Sequence, residues 1–481
     1  MAFHGVSKVS VAAQWALDGL LSSLGMSRGS GALSFVGDDP IVPSRFRPAA
    51  ACAAAIAAEA CGISAIWKMR SGRDQDIRVD LRHAAVPGLR TSLHIHQNGH
   101  HLDLGRPVSE RPNFFRTRDG RRMYLLRASA YHTNLIALLD LLKCANTTDA
   151  ISEATSSWSS DDLEDALAER KVIGVMARTR EEWLSHPQGS WLSSRPVVHV
   201  QKIAESPARP FTPAERPLSD IRVLDMAHLL AGPVSARVLA EQGADVLRVS
   251  APLKQDDFRY VIDTSFGKRS AFIDLDRTGD METLKKLITR ADVFVQSFRP
   301  GSLAKRGLSP EEMAVARPGI IYVTISAYGM GGPWMKRGGL EQVGQAVSGL
   351  AIAEGSSEVP VLAPTFTLND YLAAYLGSAG VVAALVRRAK EGGSYRVEVS
   401  LTGCSMWLQE LGMLPQNLWR SEGDRSTLPV PPMDSYFETS GAFGNLTHPK
   451  PLVEFSETAA YWNCGPSPLG SSIPAWLDAS Q

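Results

Sequence analysis

Asp370 lies in Thr365-Phe-Thr-Leu-Asn-Asp370-Tyr-Leu-Ala-Ala-Tyr375, just ahead of a long apolar stretch rich in small residues. A carboxylate at the mouth of a helix can cap free backbone N–H groups, worth about 1 kcal/mol. It can also serve as a base or nucleophile, because the helix start helps to keep it ionised. The two uses are compatible. The same helix-and-strand pattern occurs a second time near residue 52. Placing Arg396-Val-Glu-Val399 on Arg78-Val-Asp-Leu81 without a gap puts Gly380 on Gly62, Leu385 on Trp67 and Asp370 on Cys52. One copy carries the acid and the other lacks it, which predicts a single reactive centre. A second group, His94-Ile-His96 with His100-His101 and Asp103, has the residue types of a metal cluster. It has no accompanying carboxylate pair, so no metal site is assigned.

These residues need elements to hold them. From 218 to about 400 the chain alternates strand and helix patterns. Ile221–Met226, Asp245–Val249, Ser270–Leu275, Asp292–Phe298 and Ile320–Ser326 read as strands, with helices after Gly232-Pro233, over roughly 280–290 and after Ser309-Pro310. Apolar strands alternating with helices predict a parallel sheet covered on both faces. No G-x-G-x-x-G follows the first strand, so a nicotinamide or flavin dinucleotide is not expected.

The proline-dense stretch at 206–217 reads as a linker. Residues 1–205 before it form an Ala-rich half followed by a Trp- and acid-rich segment. Residues 406–481 form a Pro-, Ser- and Gly-rich return segment, in which Pro451-Leu-Val-Glu-Phe-Ser456 echoes Pro196-Val-Val-His-Val-Gln201. The expected fold class is therefore α/β: a Rossmann-like parallel sheet flanked by helices at 218–405, with a degenerate duplicated half and a smaller α+β domain before it.

Bulk properties exclude some functions. The 481 residues are 44% apolar, enough for two or three cores. With 50 basic and 50 acidic residues there is no net field to recruit nucleic acid or an anionic membrane. The five scattered cysteines form no C-x-x-C pair, which suits a reducing compartment. No continuous run of eighteen apolar residues is present, and no membrane association is expected. Cytoplasm is the expected location, with a mitochondrial leader as the alternative.

The motifs His228-Leu-Leu-Ala-Gly-Pro233, Gly243-Ala-Asp-Val-Leu-Arg248, Gly267-Lys-Arg-Ser270, Ala291–Gly301, Ser326-Ala-Tyr-Gly-Met-Gly-Gly-Pro333 and Asn369-Asp370 occur in one order. In that order they resemble the class III CoA-transferases, the formyl-CoA and carnitine CoA-transferase group (CaiB/BaiF type), which also contains the α-methylacyl-CoA racemases. Arg111–Gly120 and Arg180–Gln188 resemble that family's smaller domain, here placed ahead of the larger one.

The resemblance implies that Asp370 attacks an acyl-CoA carbonyl and passes through an aspartyl-CoA thioester to a carboxylic acid acceptor. The CoA thioester is then a substrate, and no permanently bound cofactor is implied. It places the nucleotide pocket around His228, Leu229, Ile273, Leu275, Phe298 and Arg299. Lys268, Arg269, Arg299, Lys305 and Arg306 are the candidate cations for the phosphates. Racemases use a histidine where this chain has Leu340, with Glu341 the nearby stand-in, so a racemase is the second reading. An acyl-CoA-binding member without turnover is the third. The family's glycine-rich closing loop has only Ser440-Gly-Ala-Phe-Gly-Asn445 as a counterpart, and Ser250 replaces a frequent acid. Interlocked homodimers are implied by the family, while the degenerate half leaves the pairing of this chain open.

Overall fold

The computed structural model describes residues 10–102, 114–127, 131–253, 256–418 and 433–477. Within the first half, strands β1 (Leu33–Val36) and β2 (Ile77–Asp80) run parallel, joined by helix α1 (Pro48–Ser71). Pro48 at the first turn presets the helical φ. Gly72 ends the helix in the left-handed conformation, φ 74°, where a side chain would be strained.

The chain then builds a cap. Three antiparallel strands, Phe114–Arg116, Arg122–Leu125 and Gly174–Met176, carry helices from His132–Leu142 to Pro187–Ser193. After β3 (Val198–Ala204), residues 205–214 form neither helix nor strand. The larger unit follows: β4 (Arg222–Asp225), helix α2 (Ala231–Ala240), β5 (Asp245–Ser250), β6 (Lys268–Phe272), β7 (Val293–Gln296) and β8 (Ile321–Ser326). Helix α3 (Glu341–Val347), helix α4 (Leu368–Glu391), β9 (Ser394–Ser400) and helix α5 (Leu401–Glu410) complete it.

The large sheet has the order β6-β5-β4-β7-β8-β9-β3, parallel except for β3, which runs antiparallel to β9. β7 and β8 are buried along their whole length, as expected of strands covered on both faces. Val223, Val293, Val295 and Val323 point to one core with α1, α2 and α4. Leu224, Leu247, Phe294 and Tyr322 point to a second core under the helices Thr278–Ile288 and Pro310–Ala316. The strands and helices expected between 218 and 400 are thus present, with ends shifted by one to three residues.

The two halves complete each other. β10 (Glu454–Phe455) adds antiparallel to β2, just as β3 adds antiparallel to β9. The echo between Pro451–Ser456 and Pro196–Gln201 therefore marks two equivalent edge strands, each donated to the opposite half.

α1 and α4 are 24 residues each and apolar enough by length and composition to cross a bilayer, yet 94% of each apolar window is buried inside the protein. Their closeness depends on glycine. A Cβ at Gly62 would sit 2.4 Å from Val382 Cγ1 of α4, whereas Gly380 lets α4 approach the sheet, a Cβ there sitting 2.5 Å from Val397 Cγ1 of β9. The Ser440–Asn445 segment is the turn of a hairpin, Tyr436–Gly441 with Gly444–Pro449.

Candidate active site

Asp370 is the third residue of α4 and not its cap. The N-cap is Thr367, whose hydroxyl donates instead to Leu89 O at 3.0 Å and ties the turn to the first half. Phe366 just before it has φ 61°, a left-handed conformation that is costly for a bulky side chain. The expected capping role is therefore corrected. The Asp370 carboxyl, in a partly exposed residue, accepts no hydrogen bond from any described residue. Burial pushes its pKa up to about 7, against the expectation that the helix start would hold it low. A carboxylate without donors and with a raised pKa is a better nucleophile than a solvated one.

Beside it stands Glu341, at the start of α3 and 1% exposed. Its Oε1 accepts from Asn369 N at 2.8 Å and from Gln345 Nε2 at 2.7 Å, so it holds the backbone one residue before Asp370. Asn369 and Ser405 on α5 exchange side-chain hydrogen bonds at 2.8 and 3.0 Å. Burial, and then the nearby Asp370 charge, raise Glu341 to about 8, so it is mostly protonated at neutral pH. At the equivalent position of the second copy Cys52 is fully buried in α1, its thiol pKa pushed well up by burial, and the carboxyl at that helix start, Asp39, is tied to Ala49 N and Ala50 N at 3.2 and 2.9 Å.

The sheet order reverses between β4 and β7, neighbours whose connections leave in opposite directions, the position at which open α/β sheets carry a ligand crevice. His228 and Leu229 follow β4, and Phe298 and Arg299 follow β7. His228 N donates to Ser297 Oγ at 3.0 Å, and its ring meets Phe298 edge-on at 5.1 Å. Leu229 has φ 63°, and its N–H donates to Asp256 Oδ2 at 3.0 Å. Asp256 also pairs with the buried Arg248 and lies 3.8 Å from His228 Nδ1. Leu275 and Phe298 pack on one cluster, and Arg306 donates to Leu275 O at 2.8 Å. Arg306 also pairs with Asp276, whereas Arg299 and Lys305 are exposed and pair with no carboxylate among the described residues.

Three candidates fall outside this crevice. Lys268 is wholly buried, its ammonium bound to Asp225 Oδ2 at 2.7 Å and to Pro233 O at 2.6 Å, so it cannot reach a phosphate. Arg269, at the amino end of β6, is held by Asp245 and Ala475 O. Ile273 is 3% exposed and belongs to the core beneath the sheet. Of the histidines, His94 is buried and pushed down to about 4 by that burial, and the His96 and His101 ring centroids lie 4.1 Å apart with the planes tilted by 45°. Asp103 and residues 111–113 of the small-domain motif lie outside the described residues.

The cap contains Arg180–Gln188, read from the sequence as part of a smaller domain. It packs onto the catalytic half through Tyr124, Ile173, Trp183 and Leu192 against Tyr328, Trp334, Val343 and Leu362. Gln188 Nε2 donates to Tyr328 O and Gly331 O at 2.7 and 2.9 Å, and its Oε1 accepts from Trp334 N at 2.7 Å. Trp191 lies so close that a Cβ at Gly331 would meet its ring at 2.4 Å. The Gly-Met-Gly-Gly loop is thus a docking surface for the cap. Tyr131 of the cap packs on the same cluster as Leu340 and Phe366. Burial, then the Asp370, Tyr260 and Asp256 charges raise its phenol pKa. Nothing in Ala130-Tyr131-His132 marks this packing locally.

Residues 218–441 match the sequence profile of CoA-transferase family III. This segment of the chain belongs to that family. An acetyl-coenzyme A transferase, nodX, of Hypoxylon pulicicidum is 33% identical over 301 residues, covering 59% of this chain and 51% of the relative. The alpha subunit of a succinyl-CoA–L-malate CoA-transferase of Chloroflexus aurantiacus is 31% identical over 252 residues, 49% of this chain and 53% of the relative. The chain spans about half the length of these curated relatives. A crystal structure of Rv3272 from Mycobacterium tuberculosis, 30% identical, covers 40% of this chain and 58% of its own with a TM-score of 0.38.

Proposed function

We propose that the protein moves coenzyme A from an acyl-CoA to a carboxylic acid, with Asp370 as nucleophile. The observation that carries this reading is the Asp370 carboxyl itself: partly open, free of donors among the described residues, and raised to about 7. An Asp370 oxygen attacks the thioester carbonyl and the C–S bond breaks, leaving a mixed anhydride and CoA thiolate. The thiolate then attacks the Asp370 carbonyl, releasing the donor acid and forming an aspartyl-CoA thioester. An acceptor carboxylate reverses both steps and leaves as the new acyl-CoA. Each step exchanges one acyl derivative for another, so no ATP is consumed.

The crevice beside His228 and Phe298 suits the nucleotide end, with Arg299 and Lys305 as phosphate partners. Glu341 supports the site by fixing Asn369, and its neutral form adds no second charge beside Asp370.

Racemisation would need a second proton-transferring group opposite Asp370, and position 340 is leucine. Glu341 is anchored by two hydrogen bonds, which disfavours it in that role. The test is inactivation by hydroxylamine. A transferase loses activity only when an acyl-CoA is also present, because hydroxylamine then attacks the activated Asp370 carbonyl, expels the donor acid or CoA, and leaves Asp370 as a hydroxamate. Exchange of the α-hydrogen in heavy water without any acceptor acid would instead favour the racemase. An Asp370→Asn variant equal to wild type would sink both.

A further inference from the structure

We propose that a cluster of four arginines at the amino end of the large sheet is an anion site that takes phosphate or a phosphate ester. The site is separate from Asp370 and independent of the transferase reading.

Asp292 stands just before β7 and is 7% exposed. Three guanidiniums converge on its Oδ1: Arg388 Nη1 at 2.9 Å, Arg317 Nη2 at 3.3 Å and Arg209 Nη1 at 3.7 Å. Its Oδ2 accepts from Arg222 N at 3.1 Å. These arginines come from α4, from the end of the helix Pro310–Ala316, from the stretch 205–214 and from the start of β4. Arg209 and Arg388 also flank one glycine. A Cβ at Gly319 would meet Arg209 Nε at 3.4 Å and Arg388 Cδ at 3.5 Å.

Charge decides what such a cluster is for. A cation at the end of a helix is ordinary, and that accounts for Arg317 alone. Among the described residues no carboxylate other than Asp292 pairs with any of the four. Four guanidiniums around one carboxylate leave three positive charges uncompensated. Burial lowers the Arg317 pKa, and the Arg209, Arg388 and Arg222 charges lower it further against the pull of Asp292.

The outer donors remain within reach of solvent. The Arg209 and Arg317 side chains are 37% and 18% exposed, whereas Arg388 is buried on Asp292. An anion at the outer pair relieves the repulsion among the guanidiniums, and their paired N–H donors match phosphate oxygens. The site is not the nucleotide crevice. Asp292 precedes β7 and Ser297 follows it, roughly 16 Å of extended chain apart. A phosphate here ties the stretch 205–214, which joins the two halves, to the base of the sheet.

Thermal unfolding of the full-length protein in inorganic phosphate, against chloride at matched ionic strength, tests the site. The Arg299→Gln, Lys305→Gln background removes the crevice cations from the comparison. In that background about 10 mM phosphate should raise the melting temperature by several degrees. Arg209→Gln should weaken the apparent phosphate affinity about tenfold, and Arg209→Lys, which keeps the charge but not the fork, less. Glycerol 3-phosphate in place of phosphate shows whether the free ion or an ester is preferred, and tighter binding of either supports the site. A purely structural Arg209 would lower the melting temperature in both salts and leave the phosphate-dependent rise unchanged. That result, or no rise in the background protein, overturns the proposal.

Discussion

Two neighbouring carboxyls with different proton affinities govern the chemistry at Asp370. Asp370 is raised to about 7 by burial, and Glu341 to about 8 by burial and the Asp370 charge. In the proposed transfer the reactive form has Asp370 ionised and Glu341 neutral. Activity should therefore rise with pH as Asp370 loses its proton and fall again as Glu341 ionises, giving a bell-shaped profile whose limbs belong to the pair. Glu341→Gln keeps an acceptor for Asn369 N and cannot ionise. A pH–rate profile of that variant should lose its alkaline limb and keep the acid one.

Asp370 was legible in the sequence because an aspartate leads the helix in one repeat and is missing from the other. Its place within the helix was not, because a local string does not show that the Thr367 hydroxyl turns away to Leu89. Lys268 was misread for a similar reason. A lysine beginning a strand looks alike on paper whether it faces solvent or a buried Asp225.

Among the elements, the strands of the large sheet were readable as apolar runs bounded by turn residues, and each is covered on both faces. Their order was not, since pairing joins segments distant in sequence. β3 lies beside β9, and β10 beside β2 with Glu454 opposite Arg78. The two long helices make the tightest contact. Because a Cβ at Gly62 would approach Val382 Cγ1 to 2.4 Å and Met26 Sδ to 3.2 Å, Gly62→Val overpacks the α1–α4 interface. Denaturant unfolding should show a loss of about 1–3 kcal/mol. Gly19, with nothing within 4 Å of its would-be Cβ, is the matched control.

At the scale of the molecule, two unequal copies of one unit exchange edge strands inside a single chain. Each half leaves an open sheet edge that the other fills. Co-expressed halves divided within 205–217 should co-purify as a one-to-one pair, whereas either half alone should aggregate, as read by size-exclusion chromatography with light scattering.

Where the halves meet, Glu59 of α1 and Glu241, just past α2, line one cavity, and Glu59 Oε1 has no hydrogen-bond partner among the described residues. Burial raises Glu241 to about 8 and Glu59 well above its ordinary value. Both acids bind protons more tightly folded than unfolded. The stability they contribute is complete below the ordinary carboxyl pKa and is lost as pH rises through the folded values. The melting temperature should accordingly fall between about pH 5 and about pH 9, and Glu241→Gln should flatten that fall. The copy without an acid at position 52 thus has a structural part in the molecule.

Covalent acylation of Asp370 is the step on which the proposed transfer depends, and mass spectrometry of its peptide reports it. After brief exposure to an acyl-CoA and rapid acid quenching, the peptide containing Asp370 should gain the mass of the acyl group or of CoA. Asp370→Asn should abolish the gain. An unmodified Asp370 peptide under conditions where CoA transfer proceeds would contradict the account.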